Sequence, residues 1–337
     1  LTWPNMFAQT IRYARHNDVL LLQANANYAK VRADSDTLFS EILSRTSGRV
    51  FTGRGGSWGK GFEVAETPYY MHLSTYGVPT VLWMPQTWSP NSDIEQYFSE
   101  GVVDHFDLYN IRYIVAPPDH TPDKFWKYIT ESPSWKLYEV PTNGYFTGGT
   151  RTMTVSTSKT DFKNIVHSWT QSDFSKNRQF PELTFDKNPQ RDVPVIPMID
   201  EVTYMTEDSR YRNILVEPPF IETNSPQPVI VGPERVDTDM VYATTVEVPE
   251  SCTECIVVLK ATGHPNWRVT VDGQKKNHFV VFPFFAAVKL EEPGTHTVEF
   301  AYKPNTLKVI LMTMSLIALI AAVTVCLIRF AAPPKKK

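Results

Sequence analysis

The sequence predicts an α+β protein: a small mixed α/β domain, then an all-β, jelly-roll-like sandwich, then one C-terminal transmembrane helix. Three observations carry this reading. Residues 1–150 alternate helical and strand-like runs. Residues 226–303 hold a series of apolar or alternating segments spaced about 8–12 residues apart, as sandwich strands are. Val309–Ile328 carries no charged residue at all.

The bulk numbers agree. The chain has 337 residues, 42% hydrophobic and 20% charged, a globular balance and not a disordered one. Aromatics at 12% and 26 prolines favour β-rich, loop-rich structure, since proline interrupts helices. The net charge is -3 and the only long basic run is C-terminal, which excludes nucleic acid as an expected partner.

In the first domain, Asp36–Ser44 reads as a short helix capped by Ser35 or Asp36, with Leu38, Phe39, Ile42 and Leu43 on one side. Arg49–Thr52, Val81–Met84, Tyr109–Ala116 and Trp135–Val140 read as strands. Asp93–Phe98 and Asp123–Thr130 read as helices. Residues 151–225 form an irregular connecting region, with helical spacing over Asp161–Ser172 and a long polar loop over 173–200. The sandwich strands are Val229–Val231, Val241–Val248, Cys255–Ala261, Trp267–Val271, His278–Phe282, Ala286–Leu290 and Thr295–Tyr302. Asp272-Gly273 predicts a tight hairpin between Trp267–Val271 and His278–Phe282, because glycine takes positive φ without a steric penalty. Pro293-Gly294 turns the chain before the last strand. The apolar corner Phe282–Phe285 is a candidate lipid or helix contact.

Twenty residues at about 1.5 Å each span the roughly 30 Å of a bilayer core, so residues 306–330 are expected to cross a membrane. Lys308 and Arg329 flank the run, with Tyr302 and Phe330 near its ends. Arg329 and Lys335–Lys337 outweigh Lys303 and Lys308, which places residues 331–337 in the cytoplasm and the bulk outside. The chain opens on Leu1 with no apolar leader, and is expected to be a processed product or, the favoured reading, the C-terminal part of a longer protein.

Candidate site residues are few. Gly53–Gly61 is a glycine-rich loop that fails the phosphate-loop spacing. Its Arg54, Trp58 and Lys60 could hold an anion or a sugar ring, or simply decorate a surface loop. Trp267 is either a stacking platform or a core residue. Cys252 and Cys255 form a C-x-x-C that fits a local disulfide, two free thiols, a metal contact shared with another chain, or redox chemistry. His72, His105, His120, Asp104, Asp107 and Asp119 lack metal spacing and read as solvated or core-satisfied, with helix-end or turn roles enough for Asp104 and Asp107. No nucleophile motif is present, so no catalytic residue, metal or cofactor is expected.

Several motifs then fall into a familiar order. Tyr109-Asn-Ile-Arg-Tyr-Ile-Val-Ala116 resembles a strand of YfhO-type membrane proteins, and Leu137-Tyr-Glu-Val-Pro141 resembles the segment that follows it there. His264–Gln274 resembles that family's "Y-P-G-W-K-A-x-V-D-G-K" hairpin, and Gly294–Pro304 its "G-x-H-x-V-x-F-x-Y-x-P" strand before a hydrophobic helix. The resemblance covers about 264–330 closely and the upstream part loosely. It implies kinship with polytopic C-type glycosyltransferases that use lipid-phosphate sugar donors, whose catalytic carboxylate lies in an early loop that this chain does not contain. The expected function is therefore a non-catalytic extracytoplasmic module of such an enzyme. Expected partners are membrane lipid, a polytopic transmembrane bundle (on the same protein or a separate subunit) and a glycan or lipid-linked sugar. The rival expectation is a stand-alone single-pass structural or carbohydrate-binding subunit; a membrane-anchored hydrolase is a third.

Overall fold

The computed structural model describes residues 3–54, 58–64, 67–81, 90, 98–158, 162–185, 198–199, 215–216, 229–237, 240–303 and 306–331. The protein is mixed α+β: a long N-terminal helix, several β-sheets, and one apolar C-terminal helix left unburied.

Helix α1 runs Trp3–Leu43, far longer than the short helix expected from residue 36. Ser35 and Asp36 therefore lie inside it and cap nothing. Most of α1 is solvent-exposed, and only its last turns enter the body, where Leu38, Phe39 and Ile42 are buried. Strand β1 (Arg49–Phe51) follows. It pairs in parallel with β4 (Ile111–Ala116), which pairs antiparallel with β6 (Lys136–Glu139), and β5 (Lys127–Glu131) lies at the edge. The helix expected at Asp123–Thr130 is instead a turn followed by a strand: Lys127–Glu131 hydrogen-bonds along β6, a ladder that outweighs the marginal stability of a two-turn helix. Leu82–Met84 and residues 93–97 lie outside the described residues. Strands β2 (Glu63–Val64) and β3 (Thr67–Pro68) make a small pair before α2 (Tyr69–Thr75). Helix α3 (Val103–Leu108) leads into β4, with Asn110 at φ 50 turning the corner.

Next come β7 (Phe146–Thr157), α4 (Phe162–Gln171, the helix expected there), α5 (Asp173–Lys176) and β8 (Gln179–Phe185). The loop expected over 173–200 thus begins with a helical turn and a strand. Two further short strands, β9 (Met198–Ile199) and β10 (Leu215–Val216), pair with each other.

The C-terminal strands match the expectation closely: β11 (Ile230–Asp237), β12 (Val241–Val248), β13 (Cys255–Thr262), β14 (Trp267–Val271), β15 (Gln274–Lys276), β16 (Phe279–Val281), β17 (Phe285–Lys289) and β18 (Gly294–Tyr302). Asp272 and Gly273 take φ of 51 and 75 in the tight turn, but the returning strand is β15, not the 278–282 segment. One sheet has the order β11-β12-β18-β14-β15. The other is a closed barrel, β13-β17-β16-β8-β7, which draws two of its strands from before residue 226. Inward residues of both layers, among them Val257, Val246, Trp267 and Phe300, form one core. The barrel's opposite face joins a second core with Phe51, Phe106 and Tyr138 of the N-terminal sheet. Phe282 and Phe285 belong to that core and are buried, so these two rings pack inward, with Phe284 half-buried against the same core.

Helix α6 (Thr306–Ala331) closes the chain. Its 307–324 window has a mean hydropathy of 2.2 and none of it is buried, so it is long and apolar enough to span a membrane.

Candidate functional site: a cationic cavity at the seam

The N-terminal sheet and the barrel meet along a polar seam. Arg49, at the start of β1, stands at its centre. Its guanidinium donates to the Tyr109 carbonyl and to the Lys260 carbonyl at 2.6 Å, and lies 5.0 Å from the centre of the Tyr145 ring. The Tyr145 amide donates to Glu234 at 2.6 Å, and Ser47 reaches the same carboxylate at 3.3 Å. Burial pushes the Tyr145 hydroxyl up to about 12, so it stays neutral.

Beside this seam lies a cavity of about 670 Å³. Helix α3 contributes Asp104, His105 and Asp107; β13 contributes Lys260; the α5–β8 turn contributes Lys176 and Arg178. Lys260 is the unusual member. Strand β13 is buried on both faces from Cys255 to Lys260, and the lysine is only 1% exposed. Its ammonium donates to the Asp107 carbonyl at 2.8 Å and to Asp107 Oδ1 at 3.1 Å. The Asn143 amide donates to Asp107 Oδ1 at 2.6 Å, and its side chain to Oδ2 at 3.2 Å. Burial lowers the Lys260 pKa, with Asp107 pulling the other way. Burial also works against the Asp107 charge, but Lys260 and the Asn143 donors outweigh it and hold the carboxyl below its usual range. The two groups form a charged pair.

His105 accepts a hydrogen bond from the Ser99 amide at Nδ1 (2.9 Å), which leaves the proton of the neutral ring on Nε2. That lone pair is used by the backbone, so His105 is not placed to activate a hydroxyl through Nδ1. Arg178 adopts φ 55, in the left-handed region that non-glycine residues seldom occupy. Among the described residues no carboxylate pairs with its guanidinium. The chemistry on offer is charge and hydrogen bonding, without a nucleophile–base pair.

The residues singled out in the sequence lie elsewhere. Arg54 and Trp58 do come together: Arg54 donates to the Phe98 carbonyl and lies 4.0 Å from Glu100, which accepts from Trp58 Nε1 at 2.8 Å. Trp58 also packs edge-on against Phe51 and lies tilted against His120, with ring centres 4.7 Å apart. Lys60 is exposed, and residues 55–57 of that loop lie outside the described residues. Trp267 is 3% exposed, ringed by Tyr242, Phe300 and Tyr302, with Nε1 donating to the Thr262 carbonyl at 2.9 Å; its surroundings are those of a core residue. Cys252 and Cys255 are joined as a disulfide with Cα atoms 5.7 Å apart. Among the described residues no His, Cys, Asp and Glu side chains gather as a metal site.

The cavity was missed because its key residue looked unremarkable within a strand. The signal was present: Cys255–Leu259 is a continuous apolar run, the pattern of a strand covered on both faces, and a lysine next in it must be buried and paired. No family profile, no curated protein and no solved structure matches this chain.

Proposed function

We propose that the chain is an extracytoplasmic module held on a bilayer by α6, serving a YfhO-like, glycosyltransferase-type assembly. In this reading it supports sugar transfer from a lipid-phosphate donor and carries no catalytic residue. Its two packed β layers form a jelly-roll-like sandwich seated on the membrane surface. One observation carries the reading. Strand β18 ends at Tyr302 and α6 begins at Thr306, so at most about 14 Å of chain separates the sheet from the apolar helix. A module tethered so closely covers whatever lies in the membrane beside α6. The Cys252–Cys255 disulfide suits an oxidising compartment, and the basic residues after the span suit the cytoplasmic side.

Topology and assembly are separately testable. In a cysteine-free background, Lys275→Cys should react with a membrane-impermeant maleimide on intact cells, and Lys337→Cys only after permeabilisation. The reverse pattern sinks the orientation. Native mass measurement in nanodiscs should show a polytopic partner bundle, and removing the module should abolish sugar transfer by that assembly. A chain that runs alone as a single-pass protein would instead favour a structural or carbohydrate-binding subunit.

A further inference from the structure

We propose that Met6–His16 of α1 is an interfacial helix, lying along an anionic bilayer surface with its apolar side in the headgroup layer. The proposal rests on α6 spanning that bilayer and not on the transferase reading.

Only the later turns of α1 are held by the body. Tyr28 is tied down there, its ring stacked on His72 with centres 5.1 Å apart and its hydroxyl against that of Tyr76. The helix then projects outward, and His16 stands about 18 Å farther along the axis. Every residue from Met6 to His16 is exposed. Such a segment lacks the tertiary packing that sustains most helices in water.

The segment has two distinct sides. At about 100° per residue, Met6, Phe7, Thr10, Ile11, Tyr13 and Ala14 fall within an arc of roughly 160°. Asn5, Gln9, Arg12, Arg15 and His16 fall on the opposite side, with Ala8 among them. Met6, Phe7, Ile11 and Tyr13 are 38% to 69% exposed, a contiguous apolar face and not scattered single residues. Thr10 does not break that face, because its hydroxyl donates to the Met6 carbonyl at 2.9 Å and is satisfied within the helix. Asp18 falls back on the same arc and ends it.

Three observations favour lipid as the cover. Helix α6 is long and apolar enough to hold the chain on a bilayer, which keeps that surface at high effective concentration. Arg12 and Arg15 are exposed and no acidic residue occurs before Asp18, so the charge of the segment is uncompensated and complements anionic headgroups. Bulky apolar and aromatic residues on one side with arginines on the other are what a helix lying in the interface requires, since arginine can snorkel back to the headgroups. A second copy of the helix would need only the narrower seam of a coiled coil.

The test uses the full chain carrying Cys326→Ser, which leaves the Cys252–Cys255 disulfide and no free thiol. An environment-sensitive fluorophore is then attached through Phe7→Cys, Gln9→Cys or, within α6, Ser315→Cys. Nanodiscs of phosphatidylcholine alone are compared with discs of equal parts phosphatidylcholine and phosphatidylglycerol. In the anionic discs the label at position 7 should shift to the blue and be quenched by a doxyl group high on the acyl chain. The label at position 9 should stay in water, and the shift at position 7 should fade as salt rises. Arg12→Gln/Arg15→Gln should lower the ratio of shielded to exposed label at position 7 about thirtyfold, roughly fivefold per arginine, without changing the melting of the fold. A label at position 7 that stays in water in anionic discs overturns the proposal. So does one shielded from water but untouched by the lipid quencher, the mark of a second copy or another protein. Equal shielding in neutral discs, insensitive to salt, overturns it too. Position 315 reports the anchor separately: quenching there with position 7 in water removes the interfacial helix alone, and both labels in water remove the anchor as well.

Discussion

Replacing Asp107 with asparagine should destabilise the fold more than replacing its partner Lys260 with methionine. At 3.1 Å and an effective dielectric near 20, a full charge pair attracts by about 5 kcal/mol. The Asp107 side chain is 32% exposed, and water screening brings this to roughly 2–3 kcal/mol. Asp107→Asn keeps an oxygen acceptor but strands the lysine charge, which is 1% exposed, so the fold should lose about 2–3 kcal/mol. Lys260→Met removes the buried charge itself and leaves Asp107 with its two Asn143 donors and some water, for a loss under about 1 kcal/mol. The pH dependence has a defined sign. Asp107 has a lowered folded pKa, so its contribution is complete above the unfolded carboxyl value near 4 and is lost as acid titrates the folded form. Lys260 also has a lowered folded pKa, so the unfolded chain holds more protons and stability rises with pH up to about 10.4. Without Asp107 the lysine loses its proton earlier, so the Asp107→Asn deficit should shrink as pH rises toward that unfolded value. Thermal unfolding of the full chain in detergent, followed by circular dichroism, measures all of this. The reasoning fails if Lys260→Met is the more damaging change, or if the deficit grows with pH.

Three further outcomes follow, two from single residues and one from the disulfide pair. Trp267→Ala should lower stability by about 3–5 kcal/mol in the same melts, since a ring 3% exposed is deleted from a closed core; a loss under 1 kcal/mol would mean the ring is not packed as described. Gly53→Ala should cost at least about 2 kcal/mol, because φ is 76 and the new methyl would meet the Gly59 nitrogen at 2.5 Å, backbone that cannot swing aside; alanine tolerated there would refute the turn. Cys252→Ala/Cys255→Ala should cost only about 2 kcal/mol, since the bond closes a four-residue loop, and reducing agent should shift the melting of the parent chain by a similar amount while leaving the double variant unchanged.

The C-terminal strands were legible because their pattern is local. Alternation along Thr295–Tyr302 and a turn-forming Asp272-Gly273 need no knowledge of the rest of the chain. What was not legible depended on distant partners. Helix α1 hides because most of its length is exposed and no single apolar stripe runs through it; only Leu38, Phe39 and Ile42 betray a buried face. Strand β7 hides behind Gly148-Gly149, residues that weaken a strand by themselves. The structure explains them: a β-carbon on Gly148 would run into Val229, and one on Gly149 into Arg178 and Phe180. Strand β8 contains Pro181, whose missing donor fits the short pairing of β8 with β16, a single Val281–Glu182 register pair. The loop residues Arg54 and Trp58 were conspicuous for their glycine neighbours, yet their polar atoms are turned to Phe98 and Glu100.

The cavity and the union of the two halves are one structure. Asp107 and Lys260 are 153 positions apart, Arg49 and Lys260 are 211, and Ser47 and Glu234 are 187. None of these contacts survives if the N-terminal sheet lifts off the barrel, and the cavity wall formed by α3 leaves with it. A ligand that needs both walls therefore binds the docked form alone. At a hundred times its dissociation constant it would stabilise that form by about 2.7 kcal/mol.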